Sequence, residues 1–162
     1  MTTSHPLVVR LRQLAARNER AALAELRRSL ADPIAAMPSV APFFGKETRR
    51  HEEDALILVA GLFALHPSPG TRSLAAALRT CAQSSDSVAL RFQALLDCDA
   101  DDLPTHLRHA VSLVRSADLA IDYDDLLLTI RWWRAEERDR QRRWARDFWG
   151  ATDLKDNEEA SK

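Results

Sequence analysis

Apolar residues recur along most of this chain at the three- and four-residue spacing of helices. Leu7, Val8, Leu11, Leu14 and Ala15 form the first stripe, behind a Ser4-His5-Pro6 start. Asn18 is placed to cap a second helix through Leu30, with Ala22, Leu23, Leu26 and Leu30 as its stripe. Pro33, Pro38 and Pro42 then break the pattern, while Met37, Val40, Phe43 and Phe44 mark a loop that packs onto the body. Thr48 to Leu65 reads as a helix that turns almost wholly apolar after Asp54, the signature of a central buried helix. His66-Pro67-Ser68-Pro69-Gly70 ends it. Further helices are predicted over about 71–82, 86–96 and 102–116. The last carries Pro104 in its first turn, where a missing N–H is tolerated. A final helical stretch is predicted from Asp122 to Trp149. Leu126, Ile130, Trp133, Trp144 and Phe148 share one face of it, but Glu137 and Arg140 interrupt that face. A break near Glu136 therefore competes with one continuous helix. No segment alternates with period two. The expectation is an all-α, compact multi-helix bundle, a single domain over residues 1–150, with a polar disordered tail over 151–162.

Composition narrows the function classes. The chain has 162 residues, enough for one domain of ordinary hydrophobicity. Its longest apolar run, Ala55 to Leu65, is about half of the ~20 residues a membrane span needs. No apolar leader-like stretch opens the chain, so the expected location is the cytoplasm. Cys81 and Cys98 stand alone, without a CxxC, which argues against a disulfide framework or a zinc ribbon.

Charge changes the picture more. The net charge is only −1, yet it is unevenly distributed. The segment from Arg10 to Arg28 holds six Arg against Glu19 and Glu25. The segment from Arg131 to Arg146 holds seven Arg against Glu136, Glu137 and Asp139. Acid collects at 97–102 and 118–125 instead. Nearly all the cations are Arg, whose planar fork suits phosphate and flat groups. On a continuous last helix, Arg131, Arg134, Arg138, Arg142 and Arg146 fall on one side, as a rail that could follow a phosphate backbone. A solvated face laced by i,i+4 ion pairs accounts for the same charges. Trp133 and Trp144 point inward on that wheel. Trp132 and Trp149 do not, and are the better interface residues.

Familiar catalytic and metal motifs fail on inspection. Asp97-Cys98-Asp99-Ala100-Asp101 starts like a calcium loop, but Asp102 stands where glycine is needed and Arg108 where glutamate is needed. Asp102, His106 and His109 could face one metal, but that spacing is common by chance and a polar surface patch is the better explanation. His51-Glu52-Glu53 is not HExxH, because position 55 is Ala. With four glycines in the chain there is no phosphate-cradling loop. The expectation is a protein without catalytic residues, metal or cofactor, and with no small-molecule substrate and no membrane partner.

Several blocks in order resemble one family. Ala24-Glu25-Leu26-Arg27-Arg28-Ser29-Leu30, Leu62-Phe63-Ala64-Leu65-His66-Pro67, and Ser87-Val88 with Arg91-Phe92 and Leu95-Leu96 are three of them. Leu107-Arg108 with Ala110-Val111 and Ile121-Asp122-Tyr123 with Leu126-Leu127 follow. Gln141-Arg142-Arg143-Trp144-Ala145-Arg146-Asp147-Phe148-Trp149 is the most specific. Together they resemble CasB, the small subunit of the type I-E CRISPR surveillance complex Cascade. Ser29 stands where that family often has Gly, and Trp149 where it more often has Tyr. The resemblance implies an all-helical, non-catalytic protein present as two copies, touching other Cascade subunits and a second copy of itself. It implies contact with crRNA and target DNA through their backbones, supporting the heteroduplex and the displaced strand. The nucleic-acid role it implies falls on Arg27, Arg28, Arg108, Arg142, Arg143 and Arg146. The basic stripe adds Arg131 and Arg134.

Overall fold

A computed structural model describes residues 3–151. Its helices are α1 (Pro6–Ala16), α2 (Arg20–Arg28), α3 (Met37–Val40), α4 (Arg50–Leu65), α5 (Leu74–Ala82), α6 (Ser87–Asp97), α7 (Leu103–Ser116), α8 (Tyr123–Arg131) and α9 (Asp139–Trp149). No strand occurs among the described residues, so the all-α expectation holds. The proposed tail lies outside them apart from its first residue, Ala151.

The predicted central helix is central. Along α4, residues 55–57 and 59–64 are buried, and α1, α2, α7 and α8 pack around them. α5 is the second hub, covered by α6, α7 and α9. The hubs are joined by residues 66–73, which run beside 119–122. Gly70 N donates to Ile121 O at 2.7 Å and Ile121 N to Ser68 O at 3.1 Å. His66 is buried with its Nε2 2.6 Å from Leu119 O, and the Tyr123 hydroxyl donates to His66 O. Burial raises the Tyr123 phenol far above its usual range, so it remains a donor. The His66-Pro67 block of the sequence is thus a packing device.

Several boundaries differ from the expectation. Asn18 does not cap α2. It sits at φ 54 and closes α1 instead, with Asn18 N bonded to Ala15 O and Glu19 N to Leu14 O. Asparagine suits both the N-cap and the left-handed C-terminal position, and here the second use won. α2 stops at Arg28 rather than Leu30, and α4 starts at Arg50 rather than Thr48. The proline-rich segment is a chain of short turns, a 3-10 turn over Pro33–Ala36, α3, and a second over Ala41–Phe43. Ala36 and Val40 are buried beneath it, as a packed loop requires.

The largest difference is in the last stretch. It is two helices, separated by residues 132–138. Arg138 adopts φ 53, and its guanidinium donates to Leu96 O at the end of α6. Trp133 Nε1 donates to Cys98 O at 2.9 Å, and Gln141 Nε2 to Trp133 O at 2.8 Å. Glu137 and Arg140 could not both face a core on one straight helix. The break lets Trp133, Trp144 and Phe148 all be buried.

Cys98 sits in this corner. Burial, reinforced by Asp102 and Asp99 and opposed by Arg138, pushes its thiol up to about 11. Two pH units above an ordinary thiol means about 100-fold less thiolate at neutral pH. Iodoacetamide should modify Cys98 about 100-fold more slowly in the folded protein than in urea, read by peptide mass mapping. Equal rates would show that the thiol is not so held. Since the unfolded thiol ionises first, stability should also fall as pH rises from about 9 toward 11.

Candidate nucleic-acid interface

α9 carries two faces of opposite character. Gln141, Trp144 and Phe148 are buried. The Phe148 ring stacks on Phe92 of α6 at 4.3 Å, and Trp144 meets Trp133 edge-on at 6.1 Å. Arg142, Arg143 and Arg146 are exposed and lie on the opposite side, within an arc of about 100° at 100° per residue. Among the described residues, none of the three has a carboxylate within 4.0 Å. These guanidiniums therefore keep their full donor sets for a partner.

The helix is held by its own polar residues. Arg140 pairs with Asp125 of α8, both side chains only 12% exposed, and also donates to Thr129 Oγ1 at 2.9 Å. Asp125 accepts a second bond from Trp144 Nε1 at 2.9 Å. At the far end Asp147 accepts from Ser73 Oγ at 2.8 Å, which also accepts from Ala76 N as the cap of α5. Arg79 donates to Gly150 O at 2.8 Å. The Gln141–Trp149 block is thus interleaved, with Gln141, Trp144, Asp147 and Phe148 for docking and Arg142, Arg143 and Arg146 for solvent.

The other predicted arginines are distributed. Arg27 and Arg28 lie exposed in the last turn of α2, which packs on α4. Arg28 makes a surface pair with Glu25 at 3.2 Å, a contact worth little in water. Arg108 is exposed midway along α7. Arg131 is the half-buried last residue of α8, and Arg134 lies in the 132–138 connection, 4.0 Å from Asp101. The continuous stripe expected from the wheel does not form. Arg131, Arg134 and Arg138 are separated from Arg142 and Arg146 by the left-handed turn, and Arg138 is spent on Leu96 O. Trp132 and Trp149 are 56% and 48% exposed, as their wheel positions predicted.

Sequence reasoning missed a cleft. Arg131 and Arg134 line it from one side and Arg50 and His51 of α4 from another, above an apolar floor. Nothing in the sequence brings position 50 to position 131. The missed Asp125–Arg140 pair left a signal on one side only, with Arg140 interrupting the apolar face of the last stretch. Asp102, His106 and His109 do not converge. Among the described residues no three His, Cys, Asp or Glu side chains form a ligand set.

Residues 22–149 match the family described as CRISPR-associated protein Cse2. A CRISPR-associated protein Cse2 of Thermus thermophilus is 45% identical over 138 residues, covering 81% of this chain and 80% of that protein. A crystal structure of a Cse2-family protein from the same organism superposes with a TM-score of 0.84 at 41% identity, covering 93% of this chain and 100% of the other. CasB from M. ruber gives 0.74 at 33% identity over 88% and 90% of the two chains. A chain of a CRISPR RNA-guided surveillance complex gives 0.74 at 26% identity over 96% and 94%. With its helices, its order of blocks and these relatives in agreement, the chain belongs to the Cse2 (CasB) family, that of the small subunit of the type I-E CRISPR complex Cascade.

Proposed function

We propose that this protein is a non-catalytic, nucleic-acid-holding subunit, which steadies the guide–target heteroduplex and the displaced DNA strand through arginine–phosphate contacts. Its partners in this reading are crRNA, target DNA, the other Cascade subunits and a second copy of itself. The observation that carries the proposal is the outer face of α9, where Arg142, Arg143 and Arg146 stand exposed opposite the buried Trp144 and Phe148. Arg27, Arg28 and Arg108 are further exposed cations of the same chemistry. Phosphate contacts carry no sequence information, which suits a complex whose guide reads sequence by base pairing. R-loop formation exchanges one duplex for another of similar stability, so a few such contacts can tip it.

The test is fluorescence anisotropy with a labelled mixed-sequence single strand, titrated with salt. Three phosphates neutralised by α9 give a log–log slope of about −2. Arg142→Glu/Arg146→Glu should abolish most of that slope while circular dichroism keeps its helical signal. A salt-independent interaction, or none at low salt, would favour the other reading, a helical adaptor that meets only proteins.

A further inference from the structure

The cleft that gathers Arg50, Arg131 and Arg134 has a volume of about 420 Å³, within the ~300–1,000 Å³ range of ligand sites. Its floor includes Leu30, Ile57 and Ile130, and its rim carries the three guanidiniums together with Asp54 and Asp101. Arg50 meets Asp54 at 3.4 Å and Arg134 meets Asp101 at 4.0 Å, both across exposed side chains. Such pairs are weak and exchange readily for a stronger anion. Arg131 has no carboxylate within 4.0 Å among the described residues.

We infer that this cleft takes one unpaired nucleotide, with its base on the apolar floor and its phosphate on Arg50, Arg131 and Arg134. The inference rests on the nucleic-acid reading above, and adds to it a site that engages the base. The mixture of groups selects the occupant. An acidic peptide would satisfy the arginines but leave the apolar floor unfilled. An apolar peptide would fill the floor and leave the guanidiniums unused. An unpaired nucleotide suits all three, because its phosphate meets Arg, its ring meets the floor, and an exocyclic amino group can donate to a rim carboxylate. Paired bases cannot enter, so the cleft distinguishes single strands from duplex, which the α9 face does not.

The experiment compares three labelled strands of equal length against the full chain at one low salt concentration. One is oligo-dC, one is oligo-dT, and one is an abasic strand with the same phosphates. The inference expects the abasic strand to bind about tenfold more weakly than oligo-dC, the loss of one ~1.4 kcal/mol contact. Oligo-dT, which lacks an exocyclic amine, should fall between them. Ala100→Leu, which narrows the cleft without removing its arginines, should bring oligo-dC down to the abasic level. Arg142→Glu/Arg146→Glu should instead weaken all three strands by the same factor. Equal affinity for oligo-dC and the abasic strand overturns the cleft site while leaving the α9 reading intact. An unchanged ratio in Ala100→Leu does the same. Failure of all three strands to bind overturns both.

Discussion

Asp125→Ala should lower the stability of this protein by about 4 kcal/mol, the largest loss expected from removing one polar side chain here. The carboxylate accepts from Arg140 and from Trp144 Nε1, in a corner where it and Arg140 are each 12% exposed. Alanine leaves a guanidinium and an indole N–H without their shared acceptor. Breaking a buried pair costs about 3–5 kcal/mol because the remaining charge is uncompensated. In a chain of this size the midpoint of thermal unfolding should fall by roughly 10 °C. Arg140→Met should cost less, since Asp125 keeps the Trp144 bond and methionine can lie along the same channel. The double variant Asp125→Leu/Arg140→Met should recover part of the loss, because no charge remains buried. Urea unfolding followed by tryptophan fluorescence reads all three. An Asp125→Ala loss below about 1 kcal/mol would show that the pair is solvated and does not hold α9.

Gly61→Val should be nearly as damaging, at about 3 kcal/mol, for the opposite reason. Gly61 lies in the buried length of α4, and a Cβ there would stand 2.8 Å from both Leu30 Cδ2 and Ser29 Oγ. The end of α2 therefore approaches α4 as closely as a hydrogen atom allows. Ser29 is itself fixed, its hydroxyl donating to Leu26 O. Valine adds two further methyls, and α2 must lift to admit them. Thermal melting should show the loss, and Gly61→Ala should show a smaller one as Leu30 turns aside. A fully native midpoint for Gly61→Val would mean that α2 is held elsewhere.

Much of this fold was legible because helices announce themselves locally. The apolar run of α4, the buried pair Trp144 and Phe148, and the exposed Trp132 and Trp149 all follow from local pattern alone. What spacing could not give was decided by contacts distant in sequence. Asn18 could serve either helix beside it, and the bond from Glu19 N back to Leu14 O shows that it closes the first. Arg138 belonged to a basic stripe on the wheel, until the carbonyl of Leu96 claimed it. Of the proposed interface, the arginines of α9 were legible as a solvent face. The cleft was not, because Arg50 and Arg131 are neighbours only through the packing of α4 on α8.

The pairing of α5 with α9 also has a consequence for synthesis. α5 buries Leu74, Ala75, Ala77 and Leu78, and α9 is among its main neighbours although the other helices are all made before α9 appears. A growing chain can lay α1 and α2 against α4 early, since those contacts are near in sequence. It cannot complete the cover of α5 until the last helix has left the ribosome. Folding of the second hub and presentation of Arg142, Arg143 and Arg146 are then one event. A truncated product that stops before α9 carries neither the finished core nor the cationic surface, and exposes an apolar face that quality control can recognise.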